Sequence, residues 1–293
     1  MTKVPLKSDS MFAERPIVYS VNGQSNVGIF HAGLKGASTG VLIVVGGRQY
    51  RVGAHRQFVS LARTISNAGF PVFRFDIRGT GDSAASVRHY LDTKEDLQIA
   101  LETMKRQSSG IKKIIVWGLC DGATATIMNL GSLDTIHGVM LVNPWVSTDV
   151  GSAKVQMKHY YQRRLFGVHF WKKLFSGKLD IKTSVCSLLS TAKLAASSRN
   201  ATNQIGTELP GLVFNNLKQF KGRKSIVISN ADLTAMEFFE AYSERYKNSD
   251  DNLKLESLVR VDADHTFSGD GQHRNLEKIT LDFVIACHEW KSD

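Results

Sequence analysis

Short apolar runs alternate with amphipathic stretches along most of the chain, and this alternation predicts eight strands and five helices. Val41–Val45 is a continuous apolar run, which is typical of a strand buried on both faces of a parallel sheet. Between His55 and Ala68 the apolar side chains recur at helical spacing instead. The predicted strands are Pro16–Ser20, Val27–His31, Val41–Val45, Pro71–Phe75, Lys113–Trp117, His137–Val142, Lys224–Ser229 and Leu255–Val261; the predicted helices are His55–Ala68, Thr93–Lys105, Ala123–Leu130, Thr234–Lys247 and Asn275–Trp290.

The order of these elements predicts the fold class. The first two strands flank Asn22 and Gly23, a dipeptide that favours a tight antiparallel hairpin. The later strands are separated by helices, and repeated strand-then-helix order indicates a parallel sheet wrapped by helices with right-handed crossovers. The pattern therefore predicts an α/β fold whose mostly parallel sheet begins with an antiparallel hairpin.

After the sixth predicted strand the alternation lapses, and residues 147–219 contain helical patterns with a stretch rich in Ser, Ala and Asn. We interpret 147–219 as a helical cap inserted into a core made of 1–146 and 220–293. Between Gly151 and Arg223 the local net charge is +11, whereas the whole chain carries +10, so the remainder is close to neutral. This concentrated charge indicates an anionic partner, and the alternative is a solvated basic face with no partner.

The 293 residues include three cysteines that lie far apart and form no C-x-x-C pair. This spacing argues against a disulfide framework or a zinc ribbon. We see no spacing typical of metal ligands and expect neither a metal nor a cofactor. The first thirteen residues lack the apolar run of a signal peptide, and no aliphatic run could span a bilayer. We expect a cytoplasmic protein.

One short motif carries candidate chemistry. The apolar run Ile114–Trp117 leads directly into Gly118, Leu119, Cys120, Asp121 and Gly122, which read G-x-C-x-G between a predicted strand and a predicted helix. In a nucleophile elbow the reactive residue occupies a strained turn at this place, and small neighbours let two backbones pass closely. The alternative is a buried structural thiol beside a tight turn.

A cysteine becomes a nucleophile when a base holds it as the thiolate and a third group orients that base. His265 follows the last predicted strand, and the carboxyl ends of parallel strands open on one crevice, so it should meet Cys120. Asp232 follows the seventh predicted strand and is the preferred orienting acid, unless it only caps the next helix. Asp264 is the second choice, because a residue adjacent to His265 usually points away from the imidazole.

The chain order Cys120, Asp232, His265 matches the nucleophile, acid and base order of α/β-hydrolases. The sequence D-I-R-G-T-G-D-S at Asp76–Ser83 resembles a structural turn common in that superfamily. More narrowly, V-V-G-G-R-Q-Y-R-V-G-A-H-R-Q-F from Val44, with G-L-C-D-G, N-A-D-L-T and D-A-D-H-T-F, resembles the first type of exosortase A system-associated hydrolase. Those proteins are encoded in bacterial exopolysaccharide and exosortase loci.

The resemblance implies an α/β-hydrolase fold with hydrolase or acyl-transfer activity and an oxyanion hole of two backbone amides. One amide would be that of Asp121, directly after the nucleophile, and the other that of Gly47 or Arg48, in the loop after the third strand. Cysteine in place of serine suits activated acyl donors such as esters, thioesters or lactones better than amides.

Aromatic and basic side chains suggest where a substrate binds. Arg48 and Arg51 lie near the predicted oxyanion loop, and Tyr160, Phe170 and Trp171 lie in the cap among lysines and arginines. Such residues could line an acyl tunnel under an anion-binding rim, or they could only dock the cap on the core. We expect a small-molecule or carrier-bound acyl substrate, with an acidic carrier protein or an anionic membrane surface as partner, and no nucleic acid.

Three functions remain open from the sequence. The first is a cysteine-dependent esterase, thioesterase or acyltransferase with an activated, anionic acyl substrate, linked to exopolysaccharide or exosortase biosynthesis. The second is a small-lactone hydrolase of the dienelactone type, which needs no long aromatic tunnel. The third is a binding module that keeps the elbow without turnover and docks an acidic partner through its basic segment.

Overall fold

The structure is a computed structural model that describes residues 13–46, 49–86, 89, 92–133, 135–146, 203–247, 253 and 255–290. In this part of the chain, six α-helices pack against one eight-stranded sheet. The strands are β1 (Glu14–Val21), β2 (Gln24–His31), β3 (Thr39–Val44), β4 (Val72–Phe75), β5 (Lys113–Leu119), β6 (Ile136–Val142), β7 (Arg223–Ser229) and β8 (Ser257–Val261). The helices are α1 (Gln57–Asn67), α2 (Lys94–Gln107), α3 (Asp121–Asn129), α4 (Asn203–Gln219), α5 (Leu233–Tyr246) and α6 (Gln272–Glu289).

The sheet begins with the predicted hairpin. Asn22 and Gly23 join β1 to β2, and their φ angles of 49° and 76° are both positive. Positive φ at both central residues is the geometry of the tight turn that Asn-Gly favours, because its twist matches that of the strands. β2 also pairs antiparallel with β4, and the strand order across the sheet is β1-β2-β4-β3-β5-β6-β7-β8.

From β4 to β8 every pair of neighbouring strands is parallel. Along β3, Leu42 and Val44 enter one buried apolar cluster, whereas Val41 and Ile43 enter a second. Since successive side chains of a strand point to opposite faces, one cluster lies on each face of the sheet. The predicted α/β-hydrolase fold, a mostly parallel sheet with an antiparallel amino-terminal hairpin, is confirmed.

The boundary of one helix differs from the sequence prediction for a physical reason. The stretch predicted as a helix from His55 becomes α-helical only at Gln57, because His55 and Arg56 have positive φ angles of 51° and 60°. A left-handed backbone cannot continue a right-handed helix. The loop after β3 is therefore longer than expected.

Of the predicted cap, residues 147–202 lie outside the described residues. The remainder of that segment contains α4. Its side chains Val213, Phe214 and Leu217 are buried in the same apolar cluster as Leu42 and Val44 of β3. The ring of Phe214 lies 5.4 Å from that of Phe238 in α5. The carboxyl-terminal part of the segment is thus helical and packs on the core.

Candidate active site

The candidate nucleophile occupies a strained junction between strand and helix. β5 ends at Leu119, α3 begins at Asp121, and Cys120 between them has φ 58° and ψ −126°. A non-glycine residue rarely adopts this conformation, which costs on the order of 1–3 kcal/mol and persists where the surrounding fold imposes it. The Cys120 N–H donates to the carbonyl of Val142 at 2.9 Å, which fixes the turn against β6.

Gly118 and Gly122 make this turn sterically possible. A Cβ atom on Gly118 would lie 2.8 Å from Cα of Ala123, and one on Gly122 would lie 2.7 Å from the carbonyl oxygen of Val44. Both separations are shorter than real Cβ atoms tolerate. The two flanking glycines therefore let α3 approach both its own strand and β3.

The turn at Cys120 packs closely against Gly46, in the loop after β3. A Cβ atom on Gly46 would overlap Oδ1 of Asp121 and the carbonyl oxygen of Leu119. Gly46 therefore lies directly against the residues on both sides of Cys120, at the place where the oxyanion hole is predicted. Gly47 and Arg48, the predicted donors from this loop, lie outside the described residues.

Asp232 uses its two carboxylate oxygens for two different tasks. Oδ1 accepts a hydrogen bond from the Thr234 N–H at 3.1 Å and caps α5, whereas Oδ2 lies 2.6 Å from Nδ1 of His265. The side chain is 7% exposed. The capping role and the contact with His265, which the sequence presented as alternatives, occur together.

Asp264 organises the loop around His265. Its Oδ1 accepts hydrogen bonds from the N–H groups of Thr266 at 2.9 Å and Ser268 at 3.1 Å, and its Oδ2 accepts one from the Ser268 hydroxyl. These bonds, chiefly that from the Ser268 hydroxyl, lower the pKa of Asp264 to about 2. The structure thus places Asp232 on the imidazole and uses Asp264 to shape the turn.

Backbone hydrogen bonds hold the two loops together. The N–H of Asn230 donates to the Val261 carbonyl at 2.8 Å, and that of Ala231 donates to the Ala263 carbonyl at 3.1 Å. The loop after β7 and the loop after β8 therefore form one unit. Asp232 and His265 meet within that unit although they are 33 residues apart.

The electrostatics of the site centre on His265. The hydrogen bond to Asp232, followed by that to the Cys120 side chain, outweighs partial burial and raises the pKa of His265 to about 10. An imidazole with this pKa holds its proton at neutral pH. Asp232 and the side chain of Cys120 thus both act on the same imidazole.

Of the predicted substrate-binding residues, Arg51 lies in the described part of the chain and binds two carboxylates. Its N–H donates to Oδ1 of Asp76 at 2.6 Å, and its guanidinium pairs with Oδ2 of Asp76 and with Asp82. This arginine is therefore engaged by two carboxylates of the D-I-R-G-T-G-D-S turn. Arg48, Tyr160, Phe170 and Trp171 lie outside the described residues.

One buried polar residue beside the site was not predicted. Asn143 follows β6, is fully buried, and exchanges two hydrogen bonds with Ser229 at the end of β7. The signal available in the sequence was an Asn-Pro dipeptide directly after a strand, where a long apolar run stops at a polar side chain.

The described part of the chain contains no group of three or more His, Cys, Asp or Glu side chains suited to a metal ion. Within the same ranges, no helix has the length and apolar character needed to cross a membrane.

Comparisons with known proteins place these features in context. The Hydrolase_4 family model, described as serine aminopeptidase S33, matches residues 36–202, a range that includes Cys120 and ends before Asp232 and His265. A search of the curated proteins finds no significant match.

Solved structures share the fold. An esterase from Pyrococcus furiosus has 19% identity and a TM-score of 0.63, with 97% of each chain covered. An α/β serine hydrolase homologue from Coxiella burnetii has 16% identity and a TM-score of 0.57, covering 94% of this chain and 99% of its own. Est1E from Butyrivibrio proteoclasticus, solved with ferulic acid, has 13% identity and a TM-score of 0.57, covering 92% and 98%.

Proposed function

Because this chain belongs to the Hydrolase_4 family, described as serine aminopeptidase S33, and is a hydrolase of the α/β-hydrolase class, we propose that it is a cysteine-dependent esterase, thioesterase or acyltransferase. Cys120 is the proposed nucleophile, His265 the proposed acid and base, and Asp232 the group that orients His265. Since the family is named for serine, the sulfur at this elbow is the feature that sets the chemistry of this chain apart.

A single observation carries the proposal: Nδ1 of His265 lies 2.6 Å from Oδ2 of Asp232, and the Cys120 side chain is close enough to raise the pKa of the same imidazole. A nucleophile, a base and an orienting group connected in this order form the arrangement used for acyl transfer. The strained backbone of Cys120 adds support, because such conformations cluster at functional sites.

The raised pKa of His265 defines its part in the reaction. The raised pKa makes His265 a strong base for the proton of Cys120, and the thiolate formed by this transfer attacks the acyl carbonyl. The imidazolium then donates this proton to the leaving group. We assign the oxyanion to the Asp121 N–H and to an amide of Gly47 or Arg48, at the loop that Gly46 brings against the elbow.

Sulfur narrows the choice of substrate. A thiolate is expelled more readily than an amine from a tetrahedral intermediate, so an amide tends to return to the starting material. Thioesters and activated esters carry leaving groups as good as the thiolate or better, so their acyl groups pass to Cys120. Water or an acceptor alcohol then releases the acyl group, which gives hydrolysis or transfer.

The substrate class follows from charge. The net charge of +11 between Gly151 and Arg223 supports an anionic acyl donor, with either an acidic carrier protein or an anionic membrane surface as the partner. We assign Arg48, Tyr160, Phe170 and Trp171 to its binding. The resemblance to exosortase-associated hydrolases supports a place in exopolysaccharide or exosortase-linked biosynthesis in the cytoplasm.

Acyl trapping tests the proposal. Incubation with 4-nitrophenyl butyrate should give a burst of nitrophenol, and mass spectrometry of peptides should find the butyryl group on Cys120. Cys120→Ala should abolish both signals. Cys287→Ser is the matched control, because that thiol is 1% exposed and lies in the core.

Other results would redirect the assignment. Turnover by Cys120→Ala at the wild-type rate would exclude Cys120 as the nucleophile. Rapid opening of small lactones with no action on acyl thioesters would favour the lactone hydrolase. Salt-sensitive binding of an acidic protein that survives Cys120→Ala, with no ester turnover, would favour the binding module.

A further inference from the structure

Asn143 joins the ends of two neighbouring strands at the floor of the site. Its Nδ2 donates to the Ser229 hydroxyl at 2.9 Å, and its Oδ1 accepts from the Ser229 N–H at 2.8 Å. Both residues are fully buried. The Asn143 N–H also donates to the Val227 carbonyl at 2.9 Å, so both the backbone and the side chain of this residue are attached to β7.

The two ends of this connection lead to the proposed nucleophile and its acid. Val142, the residue before Asn143, accepts the hydrogen bond of the Cys120 N–H at 2.9 Å. Ser229, on the other side, accepts one from the Asp232 N–H at 3.3 Å. One path from Cys120 to Asp232 therefore passes through the side chain of Asn143, beside the backbone pairing of β6 with β7.

The backbone conformation of Asn143 directs its side chain toward Ser229. Its φ of 46° is left-handed, a region that Asn enters more readily than most side chains, and this turn aims the carboxamide at Ser229. A carboxamide offers a donor and an acceptor together, which the hydroxyl and the N–H of Ser229 satisfy. An apolar side chain would leave the buried Ser229 N–H unpaired, which destabilises the connection between the two strand ends.

We propose that Asn143 is a positioning residue: it fixes the separation between the Cys120 elbow and the Asp232 loop, and so keeps His265 in contact with both. The inference rests on the proposed function for the identity of the groups that are positioned. Asn143 touches no reacting atom in this assignment. Its effect passes through the two strand ends.

Two serines on one strand provide a matched experiment. Ser229→Ala removes the hydroxyl that accepts from Asn143. Ser225→Ala removes the hydroxyl that lies 2.6 Å from the Ser257 hydroxyl, four residues before Ser229 on the same strand. Both serines are fully buried, so their loss should affect stability similarly, and only Ser229 is next to the site. Asn143→Ala is the stronger variant.

The measurements are kcat and KM with 4-nitrophenyl butyrate, and the NMR titration of the His265 ring nitrogens. We expect kcat to fall roughly 10-fold in Ser229→Ala and roughly 100-fold in Asn143→Ala, with KM within about twofold of wild type. The pKa of His265 should fall in both variants, because a misplaced Asp232 stabilises the imidazolium less. Ser225→Ala should keep the wild-type kcat and the wild-type titration.

The outcomes separate this inference from the proposed function. A wild-type kcat and an unchanged His265 titration in folded Ser229→Ala would overturn it, whether or not Asn143→Ala folds. Equal losses in Ser225→Ala and Ser229→Ala would also overturn it, since they would show a general effect of stability. If the wild-type protein cleaves no ester, the proposed function fails and the His265 titration alone decides the positioning role.

Discussion

Asp232 holds His265 with one carboxylate oxygen while the other oxygen of the same group caps helix α5. The start of the helix and the orientation of the imidazole therefore depend on one side chain. A substitution at this residue can separate the two roles only if it keeps the capping oxygen.

Asp232→Asn makes that separation. Asn caps helices as well as Asp does, so α5 and the fold should persist. The negative charge beside Nδ1 of His265 is lost, so the pKa of His265 should fall from about 10 toward its ordinary value of 6.5. We expect ester turnover to drop on the order of 10²- to 10⁴-fold. NMR titration and steady-state kinetics measure the two effects.

Asp262→Asn is the control for that experiment. Its carboxylate lies in the same loop unit and accepts from Asn230 at 2.5 Å. Removing this charge should leave kcat and the His265 titration close to wild type. Equal effects of the two substitutions would contradict a specific role for Asp232.

The pKa of His265 also predicts how stability changes with pH. A group whose pKa is higher in the folded state stabilises the fold fully below its unfolded value, 6.5, and loses this contribution as the pH rises through about 10. The difference in unfolding free energy between wild type and His265→Gln should therefore be largest near pH 6 and narrow toward pH 10. Urea unfolding at several pH values measures it, and a constant difference would contradict the assignment.

Gly46→Ala tests the contact between the loop after β3 and the elbow. The added Cβ would overlap Asp121 and Leu119, so we expect a loss of about 1–3 kcal/mol of stability and roughly 100-fold in kcat. Gly131→Ala is the matched control, because nothing lies within 4 Å of its added Cβ. That variant should be as stable as wild type or more so. Thermal unfolding and ester kinetics compare the two.

Arg51→Met separates a structural role of Arg51 from substrate binding. The substitution leaves the fully buried Asp76 carboxylate without its cation, so we expect a loss of roughly 3 kcal/mol in stability. The KM values for neutral and succinylated esters should then change alike. A rise in KM for the succinylated ester alone, with stability unchanged, would instead identify Arg51 as an anion ligand.

Much of the fold and of the site geometry could be predicted because it follows from local pattern. Apolar runs located the strands, and strand ends identified Cys120, Asp232 and His265 as residues that meet at one edge of a parallel sheet. The role of each in the reaction remains a prediction that the experiments above address.

The parts of the fold and of the site that could not be predicted depend on contacts between distant segments, which a local sequence pattern does not encode. The pairing of Arg51 with Asp76 joins residues 25 positions apart, and that of Asn143 with Ser229 joins residues 86 apart. The late start of α1 could not be read from composition either, because His55 and Arg56 are compatible with a helix and only their positive φ angles exclude it.

The positive φ of Cys120 sets stability against reactivity at a single position. Glycine there would relax the backbone and should raise the melting temperature, yet it would remove the sulfur. Choosing glycine substitutions to relax positive φ angles would therefore include Cys120→Gly, which removes the proposed nucleophile. Libraries screened for folding should enrich Cys120→Gly, whereas libraries screened for turnover should exclude it.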